Sequence, residues 1–207
     1  MKYYDESKRG YIIILNGAPR SGKSCIAAEI QNTFAGVWIN LGVDRYKPMI
    51  PDRYQPGIGL RPGGERPEFE PVILNLYKAM YESIAAHSRL GINVVADVGH
   101  HDIYSTKMQI FPQCAKMLVD YPVLVVGVRC PIEEIMRRRE ETSYLSYAED
   151  GSIPAPILMW QEAVHTPGIY DLEVDTSAYS PAEIAGQIRE NMEDQYFRAI
   201  NLLAELV

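Results

Sequence analysis

The sequence is poor in cysteine, in long apolar runs and in positive charge. Its 207 residues contain three cysteines, Cys25, Cys114 and Cys130, and no C-x-x-C pair. This pattern disfavours a disulfide framework or a zinc site. It predicts reduced, buried thiols, as is typical of cytoplasmic proteins. The first ten residues are polar and show no apolar signal core.

Apolar runs such as residues 11–15 and 123–128 are far shorter than the ~18 residues that a membrane span requires. The 20 basic and 27 acidic side chains give a formal net charge of −7. A net acidic chain is a poor generic partner for nucleic acid or anionic membranes. We therefore expect neither as a partner, and the sequence leaves homo-oligomerisation open.

Short β-branched runs alternate with helical segments. The length favours one domain over residues 1–207, since domains average about 150 residues. Nearly continuous apolar runs indicate strands covered on both faces, and strands that alternate with helices indicate right-handed crossovers. The sequence predicts a three-layer α/β fold with a central parallel sheet of five strands, at residues 11–15, 37–41, 92–98, 122–128 and 172–174.

Two segments interrupt the alternation. Residues 46–71 contain six prolines and several glycines together with apolar side chains, which favours an ordered, substrate-covering loop. A mobile surface loop is the alternative. Residues 142–156 contain an Asp-Gly turn and two prolines, and we expect a lid-like connection between two helices over the active-site face.

The strongest motif is a G-x-x-x-x-G-K-S phosphate loop between a strand and a helix. Glycines allow backbone N–H groups to point at phosphate oxygens, and the helix N-terminus adds its dipole. The motif assigns Lys23 to the β- and γ-phosphates and the Ser24 hydroxyl to Mg²⁺. The predicted nucleotide-binding residues in the loop are Gly17, Ala18, Pro19, Arg20, Ser21, Gly22, Lys23 and Ser24.

Two carboxylates follow predicted strands. Asp97 ends the third strand, where an acid faces the ligand crevice and, in phosphate-loop proteins, holds Mg²⁺. A loop-capping role is the alternative. Asp44 follows the second strand, and a carboxylate there can take a proton from an attacking hydroxyl. Aspartate is also common in turns, so spacing alone carries this second assignment only weakly.

Other polar residues complete the predicted site. We assign Arg129, at the end of the fourth strand, to the nucleotide. Arg137, Arg138 and Arg139 are about 100° apart on one helix, so all three cannot face one phosphate. A solvated basic face paired with neighbouring glutamates accounts for the others. The substrate candidates beside Asp44 are Tyr46 and Tyr54 from the proline-rich loop and His100 after the third strand, for which a surface loop is the alternative.

The motifs taken together resemble the chloramphenicol phosphotransferase family of small, adenylate-kinase-like phosphate-loop kinases. The matching pieces run from residue 12 to about 176: the phosphate loop with Ile14-Leu15-Asn16, then Gly42-Val43-Asp44, Val126-Gly127-Val128-Arg129-Cys130, Arg139-Glu140, Val164-His165, Tyr170-Asp171 and Glu173-Val174-Asp175-Thr176. The resemblance implies ATP and Mg²⁺ as cofactors, a small-molecule alcohol as substrate, and Asp44 as the general base.

The chain also departs from that family. The founding enzyme has two acids at the end of the third strand, whereas here Ala96 leaves Asp97 alone. The lid of that enzyme carries an Arg-Gly-Asp-Arg stretch, whereas residues 143–147 here are uncharged. Arg139 is therefore the better candidate for a catalytic cation.

The sequence thus predicts an ATP-dependent phosphotransferase with an alcohol acceptor that its motifs do not name. The nearer alternative is a nucleotide or nucleoside kinase, which would require arginines for a second phosphate. Arg53, Arg61 and Arg66 in the proline-rich loop, with Arg45 just before it, could supply them. The more distant alternative is a nucleotide-binding sensor without catalysis.

Overall fold

A five-stranded parallel sheet lies at the centre of the computed structural model, which describes residues 9–63, 65–142, 147–194 and 197–207. Adjacent strands pair in parallel in the order β2-β3-β1-β4-β5. This arrangement confirms the predicted phosphate-loop α/β fold. The strands are β1 Ile12–Asn16, β2 Trp38–Asn40, β3 Asn93–Val98, β4 Val123–Arg129 and β5 Leu172–Asp175.

Helices connect the strands and cover both faces of the sheet. Pro131 immediately precedes the helix Ile132–Glu141, and Ser180 and Glu183 form a capping box at the start of the helix Pro181–Asp194. The helices are α1 Lys23–Thr33, α2 Val43–Tyr46, α3 Glu70–Arg89, α4 Ile110–Ala115, α5 Ile132–Glu141, α6 Ala155–Ala163, α7 Pro181–Asp194 and α8 Ala199–Ala204.

Alternate residues of the strands enter two separate cores. Ile12 and Ile14 of β1 pack in the core beneath α3, α4 and α8, while Ile13 and Leu15 pack in the core beneath α1 and α7. All four side chains are fully buried. Burial on both faces explains why the strand sequences are nearly continuous in apolar character.

The proline-rich segment is ordered, as its apolar residues predicted. It forms four single-turn 3-10 helices, at Lys47–Met49, Asp52–Tyr54, Gly57–Gly59 and Pro67–Phe69. Ile50, Ile58 and Leu60 are buried in the core beside α3. Gly64 of this segment, and residues 143–146 of the lid-like segment predicted at 142–156, lie outside the described residues.

The thiols only partly match the expectation from sequence. Cys114 and Cys130 are buried, but Cys25 is exposed, so the expectation of buried thiols is wrong for that residue. Cys25 lies in the first turn of α1 and lines a cleft rather than packing on the sheet. Within the described ranges, no helix is both long enough and apolar enough to cross a membrane.

Gly127, in the middle of β4, leaves room for an aromatic ring. A Cβ atom at this position would lie 2.5 Å from Cδ2 of Tyr170. The Tyr170 hydroxyl accepts a hydrogen bond from Asn16 Nδ2 at 3.1 Å, which connects this packing to the end of β1. The missing side chain of Gly127 therefore allows Tyr170 to approach the sheet.

We expect Gly127→Ala to lower the free energy of unfolding by about 1–3 kcal/mol, because the added methyl group overpacks the site. Gly186→Ala is the control: Gly186 lies in α7 with open space around its Cβ position, so the change should stabilise by about 0.5–1 kcal/mol. Urea unfolding measures both variants. Equal stability of Gly127→Ala and the parent would contradict the packing argument.

Candidate active site

A cleft of about 900 Å³ opens at the carboxyl ends of the strands. This is the edge at which parallel α/β sheets bind ligands. The cleft is lined by the phosphate loop and by the segments that follow β2 and β3. Helices α5 and α6 contribute further lining residues, among them Arg139 and Trp160.

The phosphate loop connects β1 to α1. Gly22 precedes α1 with a φ of 96°, which turns the chain from the loop into the helix. Lys23 Nζ donates hydrogen bonds to the carbonyl oxygens of Gly17 and Ala18, both at 2.8 Å. The Thr176 hydroxyl donates to the carbonyl of Ser21 at 2.7 Å, so the residue after β5 supports the loop. The lysine ammonium is thus held inside the loop that would surround a phosphate.

The carboxylate of Asp97 lies against the phosphate loop. Ser24 Oγ donates to Asp97 Oδ2 at 2.8 Å. Asp97 is only 5% exposed, and its other oxygen, Oδ1, has no hydrogen-bond partner among the described residues. A buried carboxylate with one unpaired oxygen calls for a cation or a donor. A hydroxyl and a carboxylate oxygen are ligands that suit Mg²⁺, so the residues fit that ion.

No group of three or more His, Cys, Asp and Glu side chains within the described ranges could hold a metal ion. A divalent cation at Ser24 and Asp97 would therefore complete its coordination with water and nucleotide phosphates, as Mg²⁺ commonly does.

Gly42 brings the segment after β2 close to Asp97. A Cβ atom at position 42 would lie 1.9 Å from Asp97 Oδ1 and 2.4 Å from the Asp97 backbone oxygen. Only a residue without a side chain fits there. The close approach starts α2 beside β3 and puts Asp44, in the first turn of α2, on the wall of the cleft.

Burial lowers the pKa of Lys23 to about 8, and the negative charges of Asp97 and Asp44 act in the opposite direction. The lysine therefore lies in a partly dehydrated position close to two carboxylates. Phosphate oxygens in the cleft would stabilise its charged form further.

The three consecutive arginines of α5 face different surroundings. Arg137 pairs with Glu134 at 2.7 Å and also with Glu141, on the exposed side of the helix. Arg139 is buried and lines the cleft. Arg138 also lines the cleft, and its guanidinium donates to the Thr176 carbonyl at 2.8 Å.

Six predicted site residues are not part of the cleft lining: Ala18, Ser21, Tyr46, Tyr54, His100 and Arg129. Ala18 and Ser21 belong to the phosphate loop and are buried. Arg129 pairs with Glu173 at 2.6 Å on an exposed surface. Tyr46 packs against the core, and Tyr54 packs edge-on against Phe69. His100, predicted as a substrate contact, is buried with its ring stacked on Phe111.

The cleft residues that the sequence analysis did not assign to the site include Lys47, Tyr77 and Trp160. Lys47 lines the cleft and follows Asp44 by three residues. This spacing puts two residues on one face of a helix, so it became informative once α2 was known. Tyr77 of α3 and Trp160 of α6 also line the cleft. Nothing in the local sequence distinguishes these two aromatic residues from ordinary core residues.

Comparison with known proteins identifies the family. The family described as "Chloramphenicol phosphotransferase-like protein" matches residues 10–193. The chain belongs to this family. This finding confirms the resemblance. The cleft is therefore that of a kinase or phosphotransferase.

Curated relatives have similar names at lower similarity. A Mycobacterium tuberculosis protein named "Putative O-phosphotransferase" is 26% identical over 204 residues, which cover 89% of this chain and 83% of that protein. The same name and the same similarity recur for a second strain of that organism.

Solved kinase structures share the fold. The APS kinase of Mycobacterium tuberculosis superposes with a TM-score of 0.62 at 16% identity, covering 90% of this chain and 99% of that one. The shikimate kinase of Acinetobacter baumannii superposes with a TM-score of 0.54 at 11% identity, covering 92% and 96%. Identities this low establish the common fold alone.

Asp97→Asn should weaken nucleotide binding about 10–100-fold more in the presence of Mg²⁺ than in its absence. The amide keeps the size of the side chain but loses the charge that favours a cation. Calorimetric titration with and without Mg²⁺ measures both affinities. Asp120→Asn, at an exposed position, is the control and should bind normally. Equal losses with and without the metal would contradict a metal-site role.

The position of His100 predicts a pH dependence of stability. Burial, with a smaller effect of His101, lowers its pKa from 6.5 to about 3. Between these two pH values the unfolded chain binds a proton that the folded chain does not, so stability falls as the pH falls. His100→Gln should reduce this slope by up to about 1.4 kcal/mol per pH unit. Denaturant unfolding from pH 7 to 4 measures the slope, and an unchanged slope would contradict the burial argument.

Proposed function

We propose that this protein transfers the γ-phosphate of ATP to a hydroxyl group of a small organic molecule, with residues 1–207 acting as one kinase domain. The observation that carries the proposal is the presence of Asp44 and Lys23 in one cleft, close enough for the carboxylate to influence the pKa of the lysine. A phosphate-binding cation and a free carboxylate are thereby available at the same place.

The phosphate loop would hold the triphosphate. Lys23 Nζ would exchange the carbonyls of Gly17 and Ala18 for β- and γ-phosphate oxygens. Ser24 and Asp97 would hold Mg²⁺, which neutralises negative charge on those oxygens when bound. Arg138 and Arg139 supply further positive charge on the α5 side of the cleft.

A separate part of the cleft wall is available to bind the nucleoside. Beyond the phosphate loop the cleft is lined by side chains at the start of α7 and in the turn before it, namely Tyr179, Pro181 and Ile184. An apolar and aromatic wall suits a purine ring, so the base is proposed to bind there.

Asp44 would orient the acceptor hydroxyl and take its proton. The hydroxyl oxygen forms the new bond to the γ-phosphorus, the bond to the ADP oxygen breaks, and the proton passes to the Asp44 carboxylate. The loop that contributes Pro56, Ile58 and Gly59 to the cleft would limit the access of water, which reduces hydrolysis of ATP.

The arrangement of loop arginines favours a small-molecule acceptor over a nucleotide. Of the four loop arginines only Arg61 lines the cleft. Arg53 lies over the Tyr54 ring, and Arg66 lies over the Phe69 ring. A second phosphate group would require more than one of them in the cleft.

Asp44→Asn should reduce kcat with an accepted alcohol by a factor of about 10² to 10⁴, because an amide cannot serve as the general base. The affinity for ATP should stay nearly unchanged, since the residue lies outside the phosphate loop. ADP formation with a panel of alcohols and nucleosides measures transfer, and calorimetry measures ATP binding.

Asp52→Asn, in an exposed turn of the same loop, is the control for Asp44→Asn. It should leave both rate and affinity unchanged. Loss of ATP affinity in parallel with rate would make Asp44 a nucleotide residue, and no loss of either would exclude it as the base. If ATP binds tightly but no alcohol or nucleoside of the panel is phosphorylated, the result would favour the alternative of a nucleotide-binding sensor without catalysis.

A further inference from the structure

One part of the cleft has apolar walls and only a few polar groups. The walls include the side chains of Ile58, Tyr77 and Ile157, and each of these residues is less than 10% exposed. Ile58 and Tyr77 belong to the core beside α3, whereas Ile157 packs in a cluster with Ala18 of the phosphate loop. This part of the cleft therefore adjoins the phosphate loop, where the proposed acceptor would bind. A pocket with apolar walls selects the body of its ligand by shape and its orientation by the few polar groups.

One of those polar groups is the indole N–H of Trp160. Its Nε1 atom is buried and has no hydrogen-bond partner among the described residues. It lies above the end of β3, since a Cβ atom at Gly99 would be 3.3 Å away. The other tryptophan of the chain differs, because Trp38 Nε1 donates to the Ala35 carbonyl at 3.1 Å. A buried donor without an acceptor favours a ligand that brings an oxygen to it.

The second polar group is the ammonium of Lys47. A Cβ atom at Gly59 would lie 3.5 Å from Lys47 Nζ, which puts the charge beside the loop that forms the pocket wall. Within the described ranges no carboxylate lies at ion-pair distance from it. The neighbouring cation in the cleft is different, because Arg61 Nε lies 3.9 Å from Glu65. Among the described residues, Lys47 is thus a cleft cation without an ion-pair partner.

From these observations we infer that the acceptor is an alcohol that also carries a carboxylate, with Lys47 binding the carboxylate and Trp160 donating to an oxygen of the same molecule. The inference rests on the proposed function and names its substrate class. Asp44 and Lys47 are three residues apart on one helical face, so the hydroxyl and the carboxylate lie a few ångströms apart.

A carboxylate fits this pocket better than a phosphate group. A phosphate monoester carries a charge of about −1.5 to −2 at pH 7 and takes several donors. Lys47 is a single unpaired cation, and Glu65 lies near Arg61 and would repel a second negative charge. Lys23, Arg138 and Arg139 are already on the nucleotide side of the cleft.

The test uses three matched probes: 4-(hydroxymethyl)benzoate, the corresponding benzamide, and 4-(hydroxymethyl)phenyl phosphate. Each is titrated into the protein loaded with Mg²⁺ and a non-hydrolysable ATP analogue. The indole N–H signals in ¹H–¹⁵N spectra report binding, with Trp160 as the probe and Trp38 as the internal control. We expect the benzoate to shift only the Trp160 signal and to bind at least tenfold more tightly than the amide or the phosphate.

Lys47→Met keeps the length of the side chain and removes its charge. It should abolish the preference for benzoate while the affinity for the ATP analogue stays unchanged. Lys116→Met, at an exposed lysine outside the cleft lining, should retain the preference. The inference is overturned if the amide or the phosphate binds as tightly as the benzoate, or if no probe shifts the indole N–H signal of Trp160. It is also overturned if Lys47→Met weakens binding of the ATP analogue.

ADP formation with the same probes separates this inference from the proposed function. Equal turnover of benzoate and amide would overturn the carboxylate preference and leave phosphoryl transfer standing. Selective binding of the benzoate with no turnover of any alcohol would overturn the proposed function, while the recognition of the anion by Lys47 would stand.

Discussion

The buried carboxylate of Asp97 holds the site together. One oxygen accepts a hydrogen bond from Ser24 at the start of α1, and the other lies against the position of Gly42, where no side chain can fit. Three segments that are distant in sequence therefore meet at one charged group. Burying that charge costs free energy unless a cation or donors compensate for it, which makes a metal-bound nucleotide the natural complement of the fold.

The same contact explains the division of the cleft. Because α2 starts beside Asp97, the Asp44 side chain enters the cleft opposite Lys23. The phosphate loop and α5 contribute Lys23, Arg138 and Arg139 to the cleft, and the proline-rich loop contributes Pro56 and Ile58. Lys47, one turn after Asp44, is the cation that we propose to bind the acceptor. Separate chemical surroundings for donor and acceptor favour a group-transfer enzyme over a simple nucleotide receptor.

Local signals were sufficient to predict the fold and to locate the phosphate loop. The strand pattern and the phosphate-loop motif depend on residues adjacent in sequence, so both could be read directly. Side-chain direction depends on packing, which the sequence does not reveal. His100 enters the core beside Phe111, Arg129 pairs with Glu173 on the surface, and Trp160 reaches the cleft from a helix far along the chain.

A crystal structure with Mn²⁺ and a non-hydrolysable ATP analogue tests the central claim most directly. Anomalous scattering locates the metal independently of any assumption about its ligands. The account predicts one metal peak beside Ser24 Oγ and within direct or water-mediated reach of Asp97 Oδ1, with Asp44 facing the terminal phosphate. A metal held elsewhere, with the Ser24–Asp97 hydrogen bond intact and Asp44 turned away from the nucleotide, would contradict it.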